Sequence, residues 1–203
     1  KFGGTSVRDA AAIDRLCGIV GREPRNPLVV VSALSGVTDR LVALGQTASR
    51  GHSPSLSDTV DEIRSRHMDL ATELVPAGET AALVFAVDEI CEGLRALVNA
   101  IAVLREMSPR SADALVASGE AMSSRVVAAA LMASGVEAHW IDPAEVLVTD
   151  DSHGRAQPMM EATAARIQAE VSPHVEAGTV IVVGGFVGAT PQGVVTTLGR
   201  GGS

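Results

Sequence analysis

The stretch GTVIVVGGFVGAT, residues 178–190, contains the clearest candidate for a buried strand in this sequence. Its apolar run is continuous and ends in glycines. Strands that are apolar on both sides are typical of a parallel sheet whose two faces are covered by helices. A second run of the same kind, PLVVVSA at residues 27–33, is rich in valine. We expect both stretches to be strands of one mainly parallel sheet.

Helical patterns separate the predicted strands. Residues 9–20 have apolar positions at helical spacing, with Asp9 expected to cap the helix, and Thr38 or Asp39 is expected to cap the next one. Two long patterns at about 55–107 predict a helical hairpin. The region after residue 107 predicts two further helices with Gly119 between them, and AEVLVTDD at 144–151 is a strand candidate. Strands that alternate with helices predict α/β architecture.

The composition narrows the possible classes of function. The 203 residues are 46% hydrophobic and only 2% aromatic, with a formal net charge of −8. The acidic balance and the lack of a Lys/Arg cluster argue against nucleic acid as a partner. No signal peptide and no apolar run of about 18 residues is visible, so we expect a cytoplasmic protein without a membrane partner. Cys17 and Cys91 are expected to be thiols packed as small hydrophobic side chains.

Four segments place glycine or hydroxyl residues where a predicted strand ends. They are KFGGTS at 1–6, VVSALSGVTD at 30–39, VVGGFVG at 182–188 and TTLGRGGS at 196–203. Ligands of open α/β sheets bind at the carboxyl ends of the strands. We therefore expect all four segments to meet at one edge of the sheet.

The first segment combines a cation with a glycine pair. Lys1 is the only lysine of the sequence and stands beside Gly3 and Gly4. Glycine lets backbone N–H groups approach a bound group closely, and the cation indicates that this group is an anion such as phosphate. The spacing is neither that of a Walker A loop nor GxGxxG. An ordinary strand-to-helix turn is the alternative interpretation.

The other polar candidates also have two interpretations each. The hydroxyl groups of Ser32 and Thr38 either satisfy turn backbone or bind a substrate carboxylate. Glu120, in SGEAMSS, either stabilises the first turn of a helix or pairs with a substrate ammonium group. His153, in TDDSHGRAQP, belongs to a turn or ligates a metal, and the turn is favoured.

Taken in order, the six motifs resemble the aspartate kinases of the amino-acid kinase family. They are KFGGTSV, VVSALSGVTD, SGEAMSS, TDDSHGRAQP, VVGGFVG and TTLGRGGS, and the resemblance runs from Lys1 to Ser203. It implies a three-layer αβα sandwich with a mainly parallel sheet, of which residues 1–203 would be the N-terminal, amino-acid-binding half. Because the chain begins with Lys and not Met, we interpret it as a fragment of the catalytic domain. The nucleotide-binding half and any regulatory domains would lie outside it.

The activity that this resemblance implies is ATP-dependent phosphorylation of the β-carboxylate of L-aspartate to 4-phospho-L-aspartate. This is the first step toward lysine, threonine and methionine, with Mg²⁺ bridging the phosphates of ATP. The full-length enzyme would be a homo-oligomer. By similarity, Lys1 would neutralise the transferring phosphate, Gly3 and Gly4 would offer it backbone N–H groups, and Phe186 would help wall the pocket.

The remaining roles implied by the resemblance concern the amino acid itself. Ser32 and Thr38 would hydrogen-bond the substrate, and Glu120 would hold its ammonium group. Arg200 would grip its α-carboxylate, with Ser203 close by. The family continues GRGGS with an aspartate that orients the lysine, and this residue is not part of the sequence.

Two other functions are compatible with the fold. A sister kinase would act on glutamate, acetylglutamate or a nucleotide, but the KFGGTS opening and Glu120 in SGE favour aspartate. A non-catalytic amino-acid sensor would keep the fold without the reaction. Lys1 argues against the sensor, because a protein that only binds aspartate has no need of a cation facing phosphate.

Overall fold

A three-stranded parallel sheet forms the centre of the computed structural model, which describes residues 1–25, 27–51 and 55–199. Its spatial order is β1-β3-β2, and the strands are β1 (Leu28–Val31), β2 (Ala138–Ile141) and β3 (Val180–Gly184). The two apolar stretches predicted to be strands lie side by side, because β1 pairs with β3 in parallel. The predicted parallel pairing is therefore confirmed.

Helices make up most of the remaining structure. They are α1 (Ala10–Val20), α2 (Val37–Ala48), α3 (Ser55–Leu74), α4 (Ala81–Leu104), α5 (Pro109–Ala133), α6 (Pro143–Val146), α7 (Met160–Arg166) and α8 (Ser172–Glu176). A 3₁₀ turn at Gly4–Val7 precedes α1, and a π-helical turn at Ile167–Val171 joins α7 to α8. The side chain of Asp9 accepts a hydrogen bond from the N–H of Ala12, which confirms the predicted cap of α1.

Side chains on the two faces of the sheet pack into separate clusters. Val31 of β1 and Val182 of β3 belong to the main core, which they share with apolar side chains of α1–α5. Ile181 packs instead with Ile141 and Val171 in a smaller cluster. Because successive residues of a strand point to opposite faces, helical segments lie on both sides of the sheet. The predicted three-layer α/β fold with a mainly parallel sheet is confirmed.

The smaller layer leaves an apolar groove on its face of the sheet. The groove has a volume of about 510 Å³ and is lined by side chains of β1 and β3 together with residues of the 141–171 region. Leu28 of β1 lines it and is 50% exposed. The two faces of the sheet are therefore covered to different extents.

Helices α3 and α4 pack against each other on the opposite side of the molecule. An ion pair joins them between Nε of Arg64 and Oδ1 of Asp88, at 2.5 Å. Cys91 of α4 and Cys17 of α1 are both buried free thiols, which confirms their expected role as small hydrophobic side chains.

The region predicted to hold two helices is one continuous helix, α5. Gly119 does not interrupt it. The lack of a side chain at Gly119 instead lets α5 lie close to neighbouring segments. A Cβ atom at this position would lie 3.0 Å from Cβ of Ala33 and 3.2 Å from Cδ1 of Leu41. Among the described residues, α5 is also the one helix whose length and mean hydropathy would suit a membrane span, and 72% of that apolar window is buried inside the protein.

Two further local predictions are wrong, each because a neighbouring residue governs the backbone. Thr38 and Asp39 lie in the first turn of α2 and do not cap it; the cap position is Gly36, whose φ is +80°. Part of AEVLVTDD forms α6, because Asp142 caps a helix that begins with Pro143.

The last motif follows a strand, as predicted, but that strand lies outside the parallel sheet. TTLGRGGS does not follow a strand of the parallel sheet. It begins in β5 (Val195–Thr197), which pairs antiparallel with β4 (Val187–Ala189) in a separate two-stranded sheet. The end of β5 nevertheless lies beside the end of β3, because the N–H of Leu198 donates to the carbonyl of Phe186, two residues after Gly184.

Candidate active site

The N-terminal segment runs beside β1 and ends at the same edge of the sheet. The N–H of Phe2 donates to the carbonyl of Val30 at 2.8 Å, and the N–H of Ser32 donates to the carbonyl of Phe2 at 3.0 Å. Gly4 then turns into the 3₁₀ segment, where a Cβ atom would lie 3.1 Å from the carbonyl oxygen of Ala33. Gly4 thus allows the two backbone segments to approach closely. At Gly3, no atom outside the adjoining residues lies within 4 Å of the place that a Cβ atom would occupy, and the residue is half-buried.

The segment after β1 is tied to α5. The hydroxyl of Ser123 donates to the carbonyl of Ser32 at 2.9 Å. Ser32 is half-buried at this junction, and Thr38 is half-buried in the first turn of α2. The two hydroxyl residues therefore lie on either side of the turn that contains Gly36.

Glu120 lies in the interior of α5, not in a first turn, so its interpretation as a helix-terminal residue is wrong. The residue is only 5% exposed. In the part of the chain that the structure describes, its Oε2 atom is buried without a hydrogen-bond partner. Burial raises the pKa of Glu120 to about 7, while the N–H of Ala33 and the charge of Lys1 act in the opposite direction. A buried carboxylate in this state is suited to receive a cationic group.

Gly184, the last residue of β3, completes this group of residues. A Cβ atom on Gly184 would lie 3.1 Å from Cβ of Glu120, so α5 can lie this close only to a glycine. The next residue, Gly185, donates its N–H to the carbonyl of Val31 at 2.8 Å. The ends of β1 and β3 therefore meet directly over Glu120.

Phe186 follows this junction and lines the apolar groove on the other face of the sheet. Its φ is +68°, an uncommon backbone conformation for a residue with a side chain. The N–H of Leu198 donates to its carbonyl at 2.9 Å, which joins the Phe186 turn to the end of β5. Arg200 and Ser203, predicted to bind the substrate, lie outside the described residues.

The structure thus brings together Lys1, Gly4, Ser32 and Glu120, which the sequence had suggested separately. A buried carboxylate that the sequence did not indicate is Asp113, seven residues before Glu120. Its spacing of two helical turns from Glu120 was the available signal. His153, assigned to turn chemistry, donates from Nδ1 to the carboxylate of Asp113 at 2.7 Å.

The donor set of the site suits phosphate groups better than a bare metal ion. Among residues 1–25, 27–51 and 55–199, no group of three His, Cys, Asp or Glu side chains is arranged to hold a metal. A lysine ammonium and backbone N–H groups beside glycines, as at Lys1, Gly3 and Gly4, favour phosphate oxygens.

Comparisons with known proteins agree with the geometry. The sequence matches the Amino acid kinase family over residues 1–203. It is 34% identical over 209 residues to lysine-sensitive aspartokinase 3 of Escherichia coli (strain K12), covering 100% of this chain and 43% of that protein. Aspartokinase 3, chloroplastic, of Arabidopsis thaliana is 34% identical over 210 residues, covering 100% of this chain and 36% of that protein.

A solved structure shares the fold closely. The crystal structure of E. coli aspartokinase III in complex with aspartate and ADP matches with a TM-score of 0.88 and 35% identity. The match covers 99% of this chain and 43% of that chain. The chain therefore spans less than half the length of each of these relatives.

Proposed function

The chain belongs to the amino acid kinase family, and on that premise we propose that the protein phosphorylates the β-carboxylate of L-aspartate with ATP. The products are 4-phospho-L-aspartate and ADP. The relatives described above are aspartokinases, and one was crystallised with aspartate and ADP. The observation that carries the proposal is the buried carboxylate of Glu120, which lies near Lys1 at the carboxyl ends of β1 and β3 and whose Oε2 has no hydrogen-bond partner among the described residues.

Glu120 is the proposed acceptor for the ammonium group of aspartate. An ammonium group placed beside it would supply the missing partner of Oε2 and favour the ionised carboxylate. Ser32 and Thr38 hydrogen-bond the same substrate from the turn after β1. Arg200 binds the α-carboxylate, because its planar fork matches two carboxylate oxygens, and Ser203 lies close by.

Lys1 is the proposed partner of the transferring phosphoryl group, together with the backbone of Gly3 and Gly4. An oxygen of the β-carboxylate forms a bond to the γ-phosphorus, the bond from that phosphorus to the β–γ bridging oxygen breaks, and ADP leaves. The attacking carboxylate is already ionised near neutral pH, so no general base is required. Positive charge and positioning supply the catalysis, because two anions must approach each other. Mg²⁺ contributes by neutralising part of the phosphate charge.

The same reasoning extends to the organisation of the protein. Residues 1–203 form the amino-acid-binding half of a catalytic domain, with the helical hairpin at about 55–107 packed on it and Phe186 walling the pocket. The nucleotide-binding half and any regulatory domains belong to the rest of a longer protein, since the relatives are more than twice as long. We infer a cytoplasmic homo-oligomer for that longer protein.

The experiment that tests this proposal uses the full-length protein. Acyl phosphate is trapped with hydroxylamine in the presence of ATP and Mg²⁺, with aspartate, glutamate, acetylglutamate and succinate as separate acceptors. We expect a hydroxamate from aspartate and little from the others, because succinate lacks the ammonium group and the other two are longer. Preferential phosphorylation of glutamate or acetylglutamate would identify a sister kinase. Aspartate binding without any phosphorylation would identify a sensor.

A further inference from the structure

Asp113 is a buried carboxylate for which the proposed reaction has no use. It lies two turns before Glu120 on the same face of α5, and its side chain is only 3% exposed. Its oxygens accept hydrogen bonds from the hydroxyl of Thr197, from the N–H of Gly154 at 3.1 Å and from Nδ1 of His153 at 2.7 Å. A carboxylate so enclosed joins α5 to two other segments of the chain.

The segment that provides His153 and Gly154 is itself well ordered by hydrogen bonds. The carboxylate of Asp150 accepts from the N–H of Ser152 at 3.1 Å and from the N–H of Gln157 at 3.0 Å. These bonds hold the pKa of Asp150 below its ordinary value, and the bond from Gln157 has the larger effect. The loop therefore presents a defined surface to Asp113.

The second segment is the end of β5. Thr197 donates its hydroxyl to Asp113, while its carbonyl accepts from the N–H of Ala156 at 2.9 Å. The next residue, Leu198, donates its N–H to the carbonyl of Phe186 at 2.9 Å. The backbone that leads to residue 199 is thus held by α5, by the 150–157 loop and by the Phe186 turn.

We propose that Asp113 is a positioning residue that holds, through Thr197, the end of β5 at a fixed separation from Glu120, the proposed acceptor for the ammonium group of the substrate. This inference rests on the proposed function. Helix α5 carries Glu120, the acceptor for the ammonium group, and Arg200 follows Thr197 by three residues in the sequence. The ammonium and α-carboxylate groups of an amino acid are attached to one carbon, so their binding groups must keep one separation. Displacement by about 1 Å at such a site can cost about 100-fold in rate.

The test compares two neighbouring threonines of β5 in the full-length enzyme. Thr197→Val removes the hydroxyl that bonds to Asp113 with little change in volume, and Thr197→Ser retains it. Thr196→Val is the matched control, because Thr196 is also fully buried and its hydroxyl bonds to that of Thr149 at 2.6 Å. The measurements are KM for aspartate, KM for ATP, kcat and the thermal unfolding midpoint of each variant.

We expect Thr197→Val to raise KM for aspartate by about tenfold, the change produced by about 1.4 kcal/mol, with KM for ATP almost unchanged. Thr197→Ser should restore KM for aspartate. Thr196→Val should lower the unfolding midpoint as Thr197→Val does, but should leave KM for aspartate near that of the unsubstituted enzyme.

Equal KM values for aspartate in Thr196→Val and Thr197→Val would overturn the inference and leave Thr197 with a purely structural role. If Thr197→Val does not fold, Thr197→Ala supplies the same test, because it also removes the hydroxyl that bonds to Asp113; an unchanged KM for aspartate would again overturn the inference. An unsubstituted enzyme that phosphorylates no aspartate would refute the proposed function, and this inference with it.

Discussion

Glu120 has an unusual environment for a glutamate in the interior of a helix. Ionised carboxylates are almost never fully buried without a partner, because the loss of hydration is costly. Its Oε2 atom nevertheless has no hydrogen-bond partner among the described residues. A residue that destabilises the empty protein in this way is expected to gain its partner from a ligand. Both predictions for Glu120 use this difference between the empty and the bound states.

The first prediction concerns aspartate binding to the Glu120→Gln variant. Aspartate affinity of the unsubstituted enzyme should increase as the pH rises through about 7, because Glu120 ionises there. The variant should bind aspartate more weakly above that pH, by about 1.5–3 kcal/mol, typical of a hydrogen bond between charged groups. Titration calorimetry at several pH values measures both effects. Glu89→Gln, on the exposed surface of α4, is the control and should bind normally; normal affinity in Glu120→Gln would contradict the role.

The second prediction concerns the stability of the empty enzyme. The folded pKa of Glu120, about 7, lies above the ordinary value of 4.5, so the folded state keeps a proton that the unfolded chain has released. This contribution to stability is fully present below the ordinary pKa and is lost as the pH rises through about 7. Glu120→Gln should therefore become more stable than the parent above that pH. Urea unfolding on both sides of this range measures it; parallel pH profiles would show that Glu120 is not buried as described.

The third prediction concerns Lys1, whose charge acts on Glu120. Lys1→Ala should lower kcat by about 10²–10³, as when one group that stabilises transition-state charge is removed. Kinetics should be measured well above pH 7, so that Glu120 is ionised with or without Lys1. Under these conditions KM for aspartate should change little. An unchanged kcat would mean that Lys1 does not face the transferring phosphate.

At the scale of elements, α5 is the helix on which the site depends. It packs on all three strands of the sheet and also on α2 and α4. It carries Glu120 at the junction of β1 and β3, and Ser123 holds the carbonyl of Ser32. The close approach of α5 to the turn after β1 requires the absence of a side chain at Gly119.

The fourth prediction compares two glycines in helix interiors. At Gly93 of α4, no other atom lies within 4 Å of the place that a methyl group would occupy, so Gly93→Ala should stabilise the protein by up to about 1 kcal/mol through helix propensity. Gly119→Ala gains the same propensity but forces contacts with Ala33 and Leu41, and overpacking costs about 1–3 kcal/mol. Gly119→Ala should therefore be less stable than the parent. Urea unfolding measures both; equal stabilisation of the two variants would show that α5 has room to move.

At the scale of the whole molecule, the two faces of the sheet differ. One face packs into the main core, and the other bears an apolar groove of about 510 Å³. The groove is lined by side chains of β1 and β3 and by Phe186. Monomeric proteins rarely leave a large contiguous apolar surface open to water. We propose that the second half of the catalytic domain packs against part of this surface.

The fifth prediction follows for residues 1–203 expressed alone. This polypeptide should form no acyl phosphate from aspartate and ATP, should be poorly soluble, and should bind a dye that fluoresces on apolar surfaces. The full-length protein, as the control, should be active and bind less dye per molecule. Hydroxylamine trapping and dye fluorescence are the measurements. Aspartate phosphorylation by residues 1–203 would refute the claim that the nucleotide half is essential.

Features that depend on neighbours along the chain could be predicted from the sequence. Two continuous apolar runs identified β1 and β3 and their parallel pairing, because a strand buried on both faces needs apolar residues at every position. The cap at Asp9 could also be predicted, since a capping side chain bonds to the first turn of the helix that it precedes. Six motifs in order also identified the family.

Features that depend on residues distant in the sequence could be seen in the folded structure alone. The packing role of Gly119 depends on Ala33 and Leu41, which lie against it only in the folded protein. The altered pKa of Glu120 results from burial by other elements, and the bond from Thr197 to Asp113 spans 84 positions. Local patterns carry no information about such contacts, because burial and long-range hydrogen bonds arise from the packing of elements that are distant in the sequence.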